Sequence, residues 1–118
     1  MKRLGLGLGL LLVAAGGAYA QSPAARQGDP TSHGGIIVTG SLTVRIDGKA
    51  AARRDDTATC PIVPPQPGPP PHIGGQIAQG SATVFIEGKP AARVGATIVE
   101  TDATSTIVAG SPTVRIGG

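Results

Sequence analysis

The chain carries one cysteine and two histidines in 118 residues, and all three stand outside its regular segments, at His33, Cys60 and His72. With Glu100 they form a set whose shared chemistry is metal ligation. Thiolate, imidazole and carboxylate are donors that zinc accepts in a closed tetrahedral structural site. Three of the four share one address in an internal repeat. Counting five residues on from Gly28, Asp55 and Gly95, each of which follows an Ala-Ala-Arg-x tetrapeptide, gives His33, Cys60 and Glu100. Taken singly, such residues are ordinarily loop histidines and a small buried hydrophobe. The common register is what makes them a candidate site, and one structural zinc ion is the expected cofactor.

Other chemistry finds little support. A single cysteine excludes an intrachain disulfide framework. The sequence has no Gly-x-Ser-x-Gly elbow, no phosphate loop, and no cysteine with a histidine and an acid at a family-typical catalytic spacing. A fully ligated zinc does not activate water, so no enzymatic activity is expected.

The elements that must position these residues are repeats. One block reads Gly40-Ser41-Leu42-Thr43-Val44-Arg45-Ile46-Asp47-Gly48, again from Gly80 to Gly88, and again from Gly110 to Gly118. Val and Ile alternate in it with Thr and Arg or Phe, the period of a half-buried strand, between glycines that mark turns. A second motif interleaves: Pro23-Ala24-Ala25-Arg26, Ala50-Ala51-Ala52-Arg53 and Pro90-Ala91-Ala92-Arg93. The recurring Arg26, Arg53 and Arg93 suggest three equivalent ion pairs, to Asp as internal braces first or to a partner second, and Asp29, Asp55 and Asp56 predict turn braces. The middle unit carries a proline-rich insertion, Pro64 to Pro71, which reads as a stiff, extended surface loop.

With one Phe, one Tyr, one Met and no Trp, the core has to come from Val, Ile and Ala. One such unit buries too little alone, whereas three around an axis share a core. The expectation is an all-β, pseudo-threefold body of short strands and loops, a single domain over residues 21–118. The length fits one domain rather than two, and a core this small favours a metal or partner staple.

These motifs closely resemble the PAAR family, named for Pro-Ala-Ala-Arg, over about residues 23 to 118, with two full copies and one degenerate copy in register with the three blocks. The resemblance implies a small cone, a monomer that caps the blunt end of a trimeric valine-glycine repeat spike of a type VI secretion system or related contractile tail. It sharpens that spike for puncture of a target membrane and links effector proteins to it. The resemblance also implies a metal at the point held by several His and a Cys. This chain has two His, so the fourth position falls to Glu100, Asp102, another group or water.

Met1 to Ala20 has a basic start at Lys2 and Arg3, an apolar run and an Ala-Tyr-Ala end, the three regions of a secretory signal peptide cleaved after Ala20. A retained anchor is the alternative, although the run is short for a spanning helix. Without Lys2 and Arg3 the net charge of +3 falls to about +1, so no nucleic-acid partner is expected. Spike tips are loaded in the cytoplasm and delivered through the secretion apparatus, whereas a cleaved signal would make the protein secreted or periplasmic. The alternative function is therefore an exported periplasmic metal-binding envelope protein with the same fold. No toxin domain is expected after the third block, and any effector is expected to bind noncovalently.

Overall fold

The computed structural model describes residues 21–71 and 73–118; the leader expectation, over Met1 to Ala20, lies outside these. Its regular structure is entirely short strands: β1 (Gln21–Pro23), β2 (Arg45–Ile46), β3 (Lys49–Ala50), β4 (Thr57–Ala58), β5 (Gly75–Ile77), β6 (Phe85–Ile86), β7 (Lys89–Pro90), β8 (Thr97–Glu100), β9 (Ala103–Thr106) and β10 (Arg115–Gly117).

Each repeat block ends in a hairpin. β2 pairs with β3 across Asp47-Gly48, and β6 with β7 across Glu87-Gly88. All four turn residues have positive φ, between 52° and 79°, the backbone that a two-residue hairpin turn requires at both central positions. The third hairpin has no turn of its own. β10 pairs antiparallel with β1, Ser22 opposite Ile116, so the last block closes the ring against the first Pro-Ala-Ala-Arg. The remaining four strands form one antiparallel sheet in the order β4-β5-β8-β9.

Where the three Ala-Ala pairs meet, the backbone makes a closed ring. Ala25 N–H donates to the Ala92 carbonyl at 3.0 Å, Ala92 N–H to Ala52 at 2.9 Å, and Ala52 N–H back to Ala25 at 2.9 Å. Three backbone segments this close around an axis leave room for methyl groups and little more, which is the physical reason for alanine at all three places. One cluster holds Ala24, Ala51 and Ala91 with Ile46, Ile86 and Ile116. The other holds Ala25, Ala52 and Ala92 with Ile37, Ile77 and Ile107, and beyond them Ala58 and Ile98.

Two expectations are corrected. Among the described residues the fully buried core is Ile and Ala, and of the expected valines only Val94 packs against it, partly buried. Val44, Val84 and Val114 do not share the inward face of Ile46, Ile86 and Ile116, because the first half of each block is a serine turn rather than strand. The buried Ser41 hydroxyl accepts the N–H groups of Thr43 and Val44 at 3.1 and 2.9 Å, and Ser81 and Ser111 do the same. The turn rotates each valine outward.

The arginines are also unequal. Arg26 forks onto Asp29 at 3.1 and 2.9 Å and reaches Asp47 at 3.1 Å. Arg53 does the same with Asp56, at 3.0 and 3.2 Å, and with Glu87 at 2.7 Å. Asp29 and Asp56 each also accept the backbone N–H of their own arginine at 2.7 Å, so both brace their turns. In the third repeat Ala96 and Gly117 stand at the two carboxylate positions, and the contacts of Arg93 include a hydrogen bond to the Ile116 carbonyl at 3.1 Å.

Burial alone would raise the Asp56 carboxyl, but the Arg53 fork and the Thr39 hydroxyl outweigh it and hold the group below its ordinary range. Hydroxyls of Ser111 and Thr113 lower Asp47, and those of Ser41 and Thr43 lower Glu87. Groups depressed in the folded state stabilise it fully above the unfolded carboxylate range, and this contribution is lost as pH falls through their folded values. Melting temperature is therefore expected to hold level from neutral pH to about 4 and to fall below it. Asp56→Asn should lower the neutral plateau and shallow the acid limb, as a pH series of thermal melts would show.

The proline-rich insertion lies on the surface as expected but is not extended: it bends over residues 66–69, with the Gln66 side-chain amide on the Pro64 and Pro69 carbonyls at 2.9 and 3.2 Å. Gly75 lies in the middle of the four-stranded sheet, where an added Cβ would fall 1.7 Å from the Val99 carbonyl oxygen. Backbone cannot yield as a flexible side chain does, so Gly75→Ala should cost about 2–3 kcal/mol in a denaturant titration.

Candidate metal centre

The repeat brings its loop residues to one place by different local routes. Thr31, Ala58 and Ile98 are equivalent and buried, and two residues further along each segment stand His33, Cys60 and Glu100. Glu100 ends β8 on the face of Ile98, Cys60 lies just past the end of β4, and His33 sits in a turn closed by the Gly34 N–H on the Thr31 carbonyl at 3.1 Å. One donor atom from each of the three lies within 4.8 Å of the others.

His33 Nδ1 is 2.8 Å from Glu100 Oε1 and 3.7 Å from Cys60 Sγ. The Glu100 side chain is fully shielded from solvent, whereas the His33 side chain is 23% exposed. Burial would push the Glu100 carboxyl up, but hydrogen bonds from Ser105, His33 and Cys60 outweigh it and hold it below its usual range. Burial pushes the Cys60 thiol up; a backbone hydrogen bond from Ile62 works against this and the neighbouring Glu100 carboxylate adds to it. A shielded carboxylate beside a thiol and an imidazole is a donor set that could hold a cation. Tetrahedral zinc sets sulfur and nitrogen donors about 3.6 Å apart, close to the Cys60–His33 separation, whereas His33 Nδ1 and Glu100 Oε1 stand at hydrogen-bond distance and would part slightly to share an ion.

Of the other residues considered, Asp102 sits in the exposed turn between β8 and β9 with φ of 59° and is not among the three grouped donors. His72 lies outside the described residues. Cys60 forms no disulfide.

Ser105 was not anticipated. It is buried, faces Ile98 across the β8–β9 pairing, and donates its hydroxyl to Glu100 Oε2 at 2.7 Å. The repeat alignment does hold the signal: Ser105 occupies the position of Gly35 and Gly75, where the other two units have no side chain. A partner that orients a ligating carboxylate typically changes metal affinity by about 10- to 100-fold. Ser105→Ala should weaken zinc binding by that factor in a competition titration against a chromophoric chelator, with little change in fold.

A family model for the PAAR motif matches residues 27–67 and again 67–118. The chain belongs to the PAAR motif family. The boundary between the two matches falls in the proline-rich insertion, and together they take in all three grouped donors and two of the three arginine repeats. A comparison with curated proteins finds no match.

Proposed function

We propose that this PAAR-motif protein is a metal-stapled spike tip, a structural cap for the blunt end of a trimeric valine-glycine repeat spike in a type VI secretion system or related contractile tail. The observation that carries the reading is the threefold recurrence of one exposed apolar position. Val44, Val84 and Val114 are 37%, 36% and 38% exposed, and Leu42 and Phe85 beside them are exposed as well. A single chain thereby offers a true trimer three near-identical apolar contacts around one axis, the symmetry match that such a cap needs. Solvated valines at equivalent places serve no core and suit a docking face.

The donors His33, Cys60 and Glu100 belong to the opposite ends of the repeats, with both core clusters between them and the valine face. Zinc, when bound, supplies a covalent-strength link between three loops that have no aromatic core beneath them. His33 and Cys60 would hold it, with Glu100 oriented by Ser105. Residues with the backbone ring beneath them give a point that resists splaying under load. The role is mechanical and calls for no catalytic group. Effector proteins would attach noncovalently.

The features of Met1 to Ala20 favour a second reading, an exported metal-binding envelope protein. Mass measurement of the mature N-terminus from the native host separates the two. A chain beginning at Gln21 in the periplasm supports export, and an intact leader on a chain bound to the spike supports cytoplasmic loading.

A further inference from the structure

We infer that the first of the three repeats carries a peptide-binding groove on its flank, and that the groove takes an extended segment of a partner protein in which acidic and apolar residues alternate. It lies between the β2–β3 hairpin and the chain at 36–38, with a volume of about 390 Å³. Its lining combines the apolar Ile36, Val38 and Ala50 with Gln27, Arg45 and Lys49. Past Gln27, Arg45 and Ala50 it continues to Thr39 and the almost fully exposed Leu42, with about 300 Å³ more.

Both cations of the groove are without an acid. The Lys49 ammonium makes no side-chain hydrogen bond or ion pair among the described residues, and the Arg45 guanidinium reaches only the Gly48 carbonyl there, at 3.0 Å. Asp47, in the turn between them, is committed to Arg26, Ser111 and Thr113. Among the described residues no acid lines either stretch. Carboxylates of a partner are the complement of two such cations, and the arginine fork is their matched donor. Apolar area accompanies the charge. Ile36 is 46% exposed and Val38 is half-buried, while Ile37 between them is buried and bridged to Ala58. Apolar side chains two residues apart match the alternate side chains of an extended ligand, and the methylenes of Lys49 and Arg45 add to that surface.

The other repeats lack this combination. In the second, Phe85 stands for Arg45, Gln76 for Ile36 and Ala78 for Val38, and Asp55 brings an acid to the lining. In the third, Ser22 pairs with Ile116 where Lys49 pairs with Ile46, and Thr106 stands for Ile36. A site present once in a pseudo-threefold body suits a partner present once, a single protein chain rather than a trimeric needle. The inference goes beyond the cap reading and holds whether or not the chain seats on a spike.

The test uses the full chain, with the Arg45 Nε–H and the Ile and Val methyl resonances followed by NMR at constant ionic strength. The probe is an acetylated, amidated peptide of alternating Glu and Val, with its Lys and Val counterpart as control. Saturable shifts are expected at Arg45 and at the Ile36 and Val38 methyls, with the Val63 methyls unmoved and the lysine peptide binding about 10-fold more weakly or less. Arg45→Gln and Lys49→Gln should each weaken binding about 3- to 5-fold and together about 10-fold, with Tm unchanged because neither side chain meets an acid in the free chain. Phosphatidylglycerol vesicles, which offer anionic charge without an extended backbone, should leave the groove methyls unmoved. Absence of saturation with the glutamate peptide overturns the groove, as does equal binding of the lysine peptide or binding that the double variant leaves unchanged. Groove shifts with vesicles and none with the peptide would replace the protein partner by a membrane surface.

Discussion

Saturating zinc is expected to raise the melting temperature by about 15 °C or more, since free metal at about 1,000 times its Kd stabilises by about 4 kcal/mol and each kcal/mol is worth roughly 4–8 °C in a domain of this size. The reason lies in what the three loops otherwise lack. Among the described residues no buried hydrophobic layer lies beyond Ala58 and Ile98, and polar contacts join the three donors, His33 Nδ1 meeting Glu100 Oε1 at 2.8 Å and Cys60 Sγ at 3.7 Å. Cys60→Ser removes the thiolate and should abolish the zinc-dependent rise, while leaving the metal-free melting temperature within a few degrees of the unsubstituted chain. Glu100→Gln keeps the shape and the Ser105 contact but removes the charge, and should retain part of the rise. A metal-free melting temperature that zinc does not move would remove the staple from the account. Differential scanning calorimetry with and without a chelator reads all of these.

The second large effect concerns the valine face. A docked spike would bury Val44, Val84 and Val114 together, each in an equivalent environment, so a charge placed on one is desolvated without a partner. Val84→Asp alone should weaken binding to a trimeric valine-glycine repeat needle by about 10- to 100-fold, and the triple aspartate variant by about 1,000-fold or more, as burial of hot-spot apolar contacts implies. Because these side chains are already solvated in the free chain, thermal stability should change little. Loss of docking with an unchanged melting temperature is therefore the specific signature, readable by calorimetric titration. Undiminished binding of the triple variant would move the interface elsewhere.

Much of the architecture was legible because the repeat is written in residues with strong backbone consequences. Ala-Ala-Arg recurs where a backbone ring admits only methyl groups, and Asp-Gly and Glu-Gly recur where hairpin turns demand positive φ. The register that linked His33, Cys60 and Glu100 is the one along which the loops bring their donor atoms within 4.8 Å. The order of assembly was less legible. The first Pro-Ala-Ala-Arg precedes every block in the chain, and its block is the last one, so ring closure through β1 and β10 depends on a contact between distant segments that local pattern does not carry. Period-two alternation misplaced Val44, Val84 and Val114, because a serine hydroxyl accepting two N–H groups breaks the extended conformation that the pattern presupposes. The three arginines are not equivalent, because Ala96 and Gly117 replace in the third repeat the two acids that meet Arg26 and Arg53. Ser105 escaped for a related reason, since its role appears only when it is set against the glycines of the other two units.

The most direct measurement is native mass spectrometry of the full chain mixed with the trimeric end segment of a valine-glycine repeat spike from the same host. The account predicts one assembly, three spike chains with a single copy of this protein and one zinc ion. A spike that remains bare, or that takes up three copies rather than one, would contradict it.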